Sequence, residues 1–465
     1  MDLKGTNVAV IGLGASGVAA ARLASQQGGE VYVSDTREDD AVAARGADLK
    51  AAGIAVELGR HDVERMAGAG LVVASPGIPP DAPVLRALRE RGVGWISEPE
   101  FAARFFSGSL IAITGTNGKT TTTLLVEHLL RASGIDAAAG GNVGGGLAPP
   151  ASDLARAEHP PDWIVLEMSS FQLAGVESFR PDIGVVTNLS PDHLDRYPSV
   201  GAYYADKARL FDNADEKSVW VLPAGDPEVE ALAGAAPGRR FHFGLEGGDA
   251  FVDDGVITLR PYGEVEPLVP VSEVPLLGRH NLVNALAAAL TARLAGAESG
   301  GIAAGLGSAR ALPHRLEPVR DERGVLWVND SKATNVAATR SALVSLERPA
   351  VLLLGGKDKG EDFRPLVPAM GGGVRAVLVY GAVARRATAE IADALAGPDA
   401  VRGPAGEPIV LEHIEGGLDR VVARAAELAR EGDVVLLSPA CSSFDMYESY
   451  EHRGLHFTEL AREAA

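Results

Sequence analysis

The sequence predicts an α/β protein of three domains. Three observations point there. Short apolar runs alternate with helical stretches, and glycine-rich turns directly follow two of the runs. The 465 residues suffice for roughly three domains at ~150 residues each. Boundaries are expected to divide the chain into 1–98, 99–311 and 312–465.

Composition narrows the partners. The chain is 46% hydrophobic with 55 glycines, as expected of a globular protein with many tight turns. Its net charge of −19 opposes non-specific attachment to nucleic acid or anionic membrane, so neither is an expected partner. Cys441 is the single cysteine, which rules out an internal disulfide and allows a reducing compartment. No apolar run approaches the ~18 residues of a membrane span. The block Val8-Ala9-Val10-Ile11 breaks at Gly12 and is too short for a secretory signal. A soluble cytoplasmic protein is expected.

The first domain opens with a strand, Asn7 to Ile11, then the turn Gly12-Leu13-Gly14-Ala15-Ser16-Gly17 and an Ala-rich helix to about Gln27. A second strand, Glu30 to Ser34, ends at Asp35, and another, Leu71 to Ala74, runs into Ser75-Pro76-Gly77. This is a βαβ design with a glycine fingerprint and an acidic residue about 20 positions on, a Rossmann-like domain. Taken alone it predicts a dinucleotide ligand, as in a nicotinamide-dependent dehydrogenase.

The central domain carries the most informative stretch. The apolar run Leu110-Ile111-Ala112-Ile113 is followed by T-G-T-N-G-K-T-T-T-T, Thr114 to Thr123, and a helix pattern from Leu124. Strand, glycine turn, Lys-Thr and helix form a P-loop ATPase-type design. Backbone N–H groups of the turn and helix start face a polyphosphate, Lys119 adds a point charge, and the Thr120 hydroxyl reaches magnesium. The full pattern has glycine where this chain has Ile113, so the loop is a shortened variant. Further strands are expected at Trp163–Glu167 and Ile183–Asn188. A loop is expected over Gly140–Ser152, an irregular, β-rich section over Ser218–Leu277, and a helix over Asn281–Leu294. Glu167 ends its strand and suits magnesium. His193 sits between Asp192 and Asp195, which favours a metal or orienting role. Lys207 lies on a helical stretch, four residues after Tyr203, and by itself reads as a solvated lysine. No Cys/His spacing points to zinc.

The third domain alternates strand and helix from Val325: Val325–Asn329, Ala350–Leu354, Ala376–Tyr380, Pro408–Leu411 and Asp433–Leu437. That pattern predicts a parallel sheet covered on both faces, with ligands beyond the carboxyl ends of its strands. The segments there are Asp330-Ser331-Lys332, Gly355-Gly356-Lys357 and Ser438 to Ser443, a third, Rossmann-like site.

Together these motifs resemble the Mur ligases, in order and over essentially the whole chain. The P-loop variant is common to those ligases and to folylpolyglutamate synthases. The stretch Asp330-Ser331-Lys332-Ala333-Thr334-Asn335 resembles the member that adds D-glutamate. The resemblance implies an ATP-dependent amide ligase that adds D-glutamate to UDP-N-acetylmuramoyl-L-alanine in peptidoglycan precursor synthesis, acting as a monomer on small molecules.

It also implies roles. The UDP part would lie on Leu13, Gly14, Ala15, Ser16, Asp35, Thr36, Arg37, Gly77 and Asn142, replacing the dinucleotide that the first domain alone predicts. ATP would lie on Gly115, Thr116, Asn117, Gly118, Lys119, Thr120, Thr121, Asn281, Asn284, Arg315 and Asp330. Two magnesium ions are implied, one on Thr120 and Glu167, the other on His193 and a carbamylated Lys207. Lys119, Glu167, His193 and Lys207 would be the catalytic set. Lys332, Thr334, Lys359 and Ser443 would hold D-glutamate, with Phe444 and Tyr450 beside it.

Overall fold

The computed structural model describes residues 2–144, 146–192, 196–398 and 400–464. They form the three-domain α/β architecture expected from the sequence, with three separate sheets. The chain divides into two compact units, one of residues 1–274 and 283–309, the other of 275–282 and 310–465. Among the described residues no helix is long and apolar enough to cross a membrane.

The first sheet has strands β1 (Asn7–Ile11), β2 (Glu30–Asp35), β3 (Ala55–Leu58), β4 (Leu71–Ala74) and β5 (Ile96–Ser97). Their order is β3-β2-β1-β4-β5, all parallel. Strand order reverses beside β1, so the Gly12–Gly17 turn stands at the switch point where such sheets bind ligands. The turn depends on missing side chains. A Cβ on Gly17 would lie 1.9 Å from the Gly12 carbonyl oxygen.

The second sheet contains β6 (Ser109–Thr114), β7 (Ala137–Gly141), β8 (Trp163–Glu167), β9 (Ile183–Val186), β10 (Val219–Pro223), β11 (Arg239–Phe243), β12 (Ala250–Asp253), β13 (Val256–Leu259) and β14 (Glu266–Pro270). The order is β14-β13-β12-β11-β10-β9-β6-β8-β7. Strand β6 pairs with β9 on one side and β8 on the other, both parallel, so the loop after it opens between two strand ends. The expected loop over Gly140–Ser152 is partly wrong. Residues Ala137–Gly141 form an edge strand, and Ala151–Ala155 a short helix. Ala-Ala-Ala-Gly-Gly carries no β-branched side chain, and pairing with β8 holds it extended where propensity does not. The β-rich section resolves into β10–β14, closed by an antiparallel meander.

First and second sheets share one hydrophobic core. Leu13, Leu23 and Val33 belong to the same buried cluster as Phe101, Leu110, Ala151, Phe179 and Trp220. Small residues allow this. The Ala-rich helix Ala15–Gln26 packs against the helices Glu98–Ala103 and Ala151–Ala155. Two buried carboxylates tie the junction. Glu98 accepts from the Ser152 N–H at 2.5 Å, and Glu100 accepts from the N–H groups of Glu177, Ser178 and Phe179.

The third sheet comprises β15 (Glu317–Glu322), β16 (Val325–Asn329), β17 (Ala350–Gly355), β18 (Val374–Tyr380), β19 (Val410–His413) and β20 (Val434–Leu437), in the order β15-β16-β20-β17-β18-β19. Five strands are parallel, as expected, and β15 adds an antiparallel edge that the charged run Glu-Pro-Val-Arg-Asp-Glu does not advertise. Apolar clusters line both faces. Strands β16, β20 and β17 are neighbours, so the loops after them meet at one end of the sheet.

Candidate active site

The loop after β6 is held open by its neighbours. Gly115 has φ +136°, and a Cβ there would lie 2.0 Å from Thr187 Oγ1. Gly118 has φ +82° and a Cβ would lie 2.4 Å from Asn284 Oδ1. Residues after β9 brace the loop. Thr187 Oγ1 donates to the Asn117 carbonyl at 2.6 Å, Asn188 Oδ1 accepts from the Asn117 N–H at 3.0 Å, and Thr116 Oγ1 donates to the Ser190 carbonyl at 3.0 Å. The helix Lys119–Ala132 starts at Gly118 with no side-chain cap. Its first N–H groups are thus left for a ligand, and the helix dipole favours an anion there. Thr120 and Thr121 are half-buried in its first turn. Lys119 Nζ donates to the carbonyls of Gly115 and Thr116 at 3.1 and 2.9 Å.

Lys207 is not a solvated lysine. Only 1% of it is exposed, and its Nζ donates to the same Gly115 carbonyl at 2.7 Å and lies 4.7 Å from the Tyr203 ring centre. Burial, and then the nearby Lys119 charge, lower its pKa well below the usual lysine value. Both effects disfavour the ammonium and favour a neutral, nucleophilic amine. Tyr203 donates to Thr116 Oγ1 at 3.3 Å, tying the Lys207 helix to the loop.

Glu167 ends β8, next to β6. It is buried, and its Oε2 has no hydrogen-bond partner among the described residues. Its Oε1 accepts from Asn142 Nδ2 at 3.3 Å. An orphaned buried carboxylate oxygen is costly, and a hard cation satisfies it. The donor set therefore fits magnesium. No group of three or more His, Cys, Asp or Glu stands ready for a metal among the described residues. That suits an ion held mainly by phosphate and water. His193 lies outside the described residues. Asn142, expected at the UDP part, sits beside Glu167 in this geometry.

At the first sheet, Asp35 is engaged by its own domain. Its Oδ2 accepts from the Leu13 N–H at 2.8 Å, and Arg37 donates to it from backbone and side chain. Burial alone would raise its pKa, but these bonds outweigh it and hold the carboxyl at about 2. The helix Ala15–Gln26 also begins without a side-chain cap, at Gly14. Ser16 is half-buried in its first turn, while Thr36, Arg37 and Gly77 are exposed.

In the third domain, Lys332 Nζ donates to Tyr450 OH at 3.2 Å, and Lys359 Nζ to the Thr334 carbonyl at 2.7 Å. Tyr450 opens the last helix, Tyr450–Glu463. Ser443 is buried and Phe444 is 65% exposed. Asp330 is buried, with Oδ2 accepting from Ser438 Oγ at 2.8 Å and Oδ1 from the Leu316 N–H at 3.2 Å. Burial pushes its pKa up to about 7. Arg315 is half-buried and its charge acts on Asp330. Asn281 and Asn284 are both buried. Asn281 donates to the Leu277 carbonyl, and Asn284 Oδ1 accepts from Thr122 Oγ1.

Comparison with known proteins agrees with this geometry. Residues 6–97 match the Mur ligase MurD-like N-terminal domain, 113–292 the Mur ligase middle domain, and 314–441 the Mur ligase glutamate ligase domain. A protein of Anaeromyxobacter dehalogenans named UDP-N-acetylmuramoylalanine–D-glutamate ligase is 44% identical, over 100% of this chain and 99% of its own. One of the same name from Myxococcus xanthus is 43% identical over 99% of each. Among solved structures, the MurF ligase of Thermotoga maritima in complex with ADP superposes with a TM-score of 0.58 at 16% identity, covering 97% of each chain. The UDP-N-acetylmuramate–alanine ligase MurC of the same organism gives 0.55 at 20% identity, over 98% of this chain and 99% of its own. These two share the fold. With its three domain models in chain order and its full-length relatives, the chain belongs to the Mur ligase family.

Proposed function

We propose that this protein is an ATP-dependent amide ligase that joins D-glutamate to UDP-N-acetylmuramoyl-L-alanine, in cytoplasmic synthesis of peptidoglycan precursors. The observation that carries the reading is full-length similarity, at 43 and 44% identity, to proteins named for that reaction. The P-loop with its unpartnered Glu167 oxygen and desolvated Lys207 supports it from the chemistry.

Roles divide by domain, with boundaries proposed at 98/99 and 311/312. Leu13 to Ser16, Asp35 to Arg37 and Gly77 bind the UDP-sugar, with Asn142 between that ligand and Glu167. A nicotinamide cofactor is disfavoured, because residues 6–97 match a Mur ligase MurD-like N-terminal domain. Gly115 to Thr121 cradle ATP, assisted by Asn281, Asn284 and Arg315, while Asp330 anchors the segment that carries Arg315. Lys332, Thr334, Lys359 and Ser443 hold D-glutamate, with Phe444 and Tyr450 flanking it. Two lysines match its two carboxylates.

Thr120 and Glu167 would hold one magnesium ion, and His193 with a carbamylated Lys207 a second. Magnesium there offsets phosphate charge. The Lys207 amine, when neutral, would add carbon dioxide and give up a proton to solvent, and the carbamate oxygens would serve as ligands where an ammonium cannot. In the reaction, a carboxylate oxygen of the L-alanyl end attacks the γ-phosphorus and ADP departs. Lys119 faces the charge that develops there. The D-glutamate amine, uncharged when it attacks, then adds to the acyl phosphate carbon, and phosphate leaves as the amide forms.

Mass spectrometry of the product tests the reading. Purified protein with ATP, magnesium, UDP-N-acetylmuramoyl-L-alanine and D-glutamate is expected to yield the UDP-sugar extended by one glutamyl residue. Extension of a folate, or reduction of a nicotinamide, would contradict it.

A further inference from the structure

Arg453 is among the largest fully buried side chains, with 1% of its surface exposed. Its guanidinium makes five hydrogen bonds to four acceptor atoms. Nε donates to Ser331 Oγ at 2.9 Å, Nη2 to the Ser331 carbonyl at 2.8 Å, and both Nη atoms to the Cys441 carbonyl at 3.1 Å. A longer contact, 3.4 Å, joins Nη1 to the Gly355 carbonyl. Two acceptor residues, Ser331 and Cys441, belong to the loops after β16 and β20, and Gly355 is the last residue of β17, the strand beside β20. The loops after these three strands carry Lys332, Ser443 and Lys359. Ser331 Oγ in turn donates to the Tyr450 carbonyl at 2.8 Å, one helical turn before Arg453.

Two features set this arginine apart from a structural ion pair. No carboxylate accepts from it among the described residues, so a full positive charge is buried on carbonyls and a hydroxyl alone. Burying a charge that way is expensive unless something else is gained. The backbone beside it is tightly packed: Gly355 and Gly356 have φ +151° and +136°, and a Cβ there would lie 2.0 Å from the Tyr380 carbonyl oxygen and 2.3 Å from that of Ser442, respectively.

We propose that Arg453 is a positioning residue for the amino-acid site. Its planar fork locks the three strand ends in one arrangement, and so fixes the loops that carry Lys332, Ser443 and Lys359. The proposal rests on the reading that this site holds D-glutamate. The geometry requires guanidinium shape as well as charge, because lysine offers three donors from one point and cannot span three strand ends.

Steady-state phosphate release, with each substrate varied in turn, tests it on the full chain. Arg453→Lys is expected to raise KM for D-glutamate about tenfold, and Ser331→Ala, which removes the Nε acceptor and the bond to the Tyr450 carbonyl, about threefold. KM for the UDP-sugar should stay within about twofold of wild type, since its site lies on other loops, and KM for ATP should rise less than KM for D-glutamate, since Asp330 alone of the nucleotide set adjoins Ser331. If Arg453→Lys does not fold, Ser331→Ala with its melting temperature decides alone. Variants that raise all three KM values alike, or lose activity only in step with melting temperature, overturn the proposal. A wild-type enzyme indifferent to D-glutamate overturns the functional reading and this inference with it.

Discussion

Lys119 and Lys207 both donate to the Gly115 carbonyl, yet they stand in different surroundings. Lys119 is half-buried at a helix start, at the proposed phosphate site. Lys119→Ala should cut kcat by roughly 10³-fold, the scale of losing one strong electrostatic contact to a transition state. Turnover retained in that variant would exclude the phosphate role. Burial and then the Lys119 charge push the Lys207 pKa well below the usual lysine value. Lys207→Ala should lose activity by about 10²-fold or more, and a small carboxylate such as acetate should restore part of it by filling the ligand position. Absence of any restoration would count against a carbamate there. The sequence made Lys119 readable because its role is written in adjacent residues. Lys207 was readable only through the family resemblance, since its burial comes from contacts 92 residues away in the chain. Arg453 was not readable at all. A polar residue on a late helix looks solvated until the fold brings Ser331, 122 residues away, onto it.

Elements whose periodicity and turn chemistry agree were the legible ones. Strands β1, β4, β6, β8 and β16 stand where apolar runs predicted them. Misses have physical causes. Strand β7 is made of alanine and glycine, and β15 of charged residues, so neighbours decide both. The β12–β13 hairpin carries its signal in Asp254-Gly255. Asp254 and Gly255 have φ +45° and +75°, the two left-handed residues of a tight hairpin turn. The P-loop turn makes a sharper demand. Gly118→Ala must adopt a left-handed φ while meeting Asn284, and should destabilise the protein by about 1–3 kcal/mol and weaken ATP binding. Calorimetry of unfolding and ATP titration would check both, and an unchanged ATP affinity would show that the turn is not the nucleotide cradle.

At the scale of the molecule, the first two sheets are welded through a common core, with Glu98 at the seam. Burial pushes the Glu98 pKa up from 4.5 to about 7, against hydrogen bonds from Ser152. The sign follows from linkage. Below about 4.5 both folded and unfolded states hold the proton, and the group's stability is fully present. As pH rises the unfolded chain ionises first, and stability is lost until the folded carboxyl ionises near 7. Glu98→Gln keeps an acceptor for Ser152 and does not titrate. It should match wild type near pH 4 and exceed it by roughly 3 kcal/mol at pH 8, read from denaturant midpoints. A gain independent of pH would show that Glu98 is not proton-linked to folding.

Three sites on three sheets have one purpose only if the third delivers the amine that consumes what the second activates. That coupling is the central claim, and phosphate release from ATP measures it directly. With UDP-N-acetylmuramoyl-L-alanine present, release is expected to depend on D-glutamate and to stay at background with L-glutamate. Release at the same rate with and without D-glutamate would contradict the account.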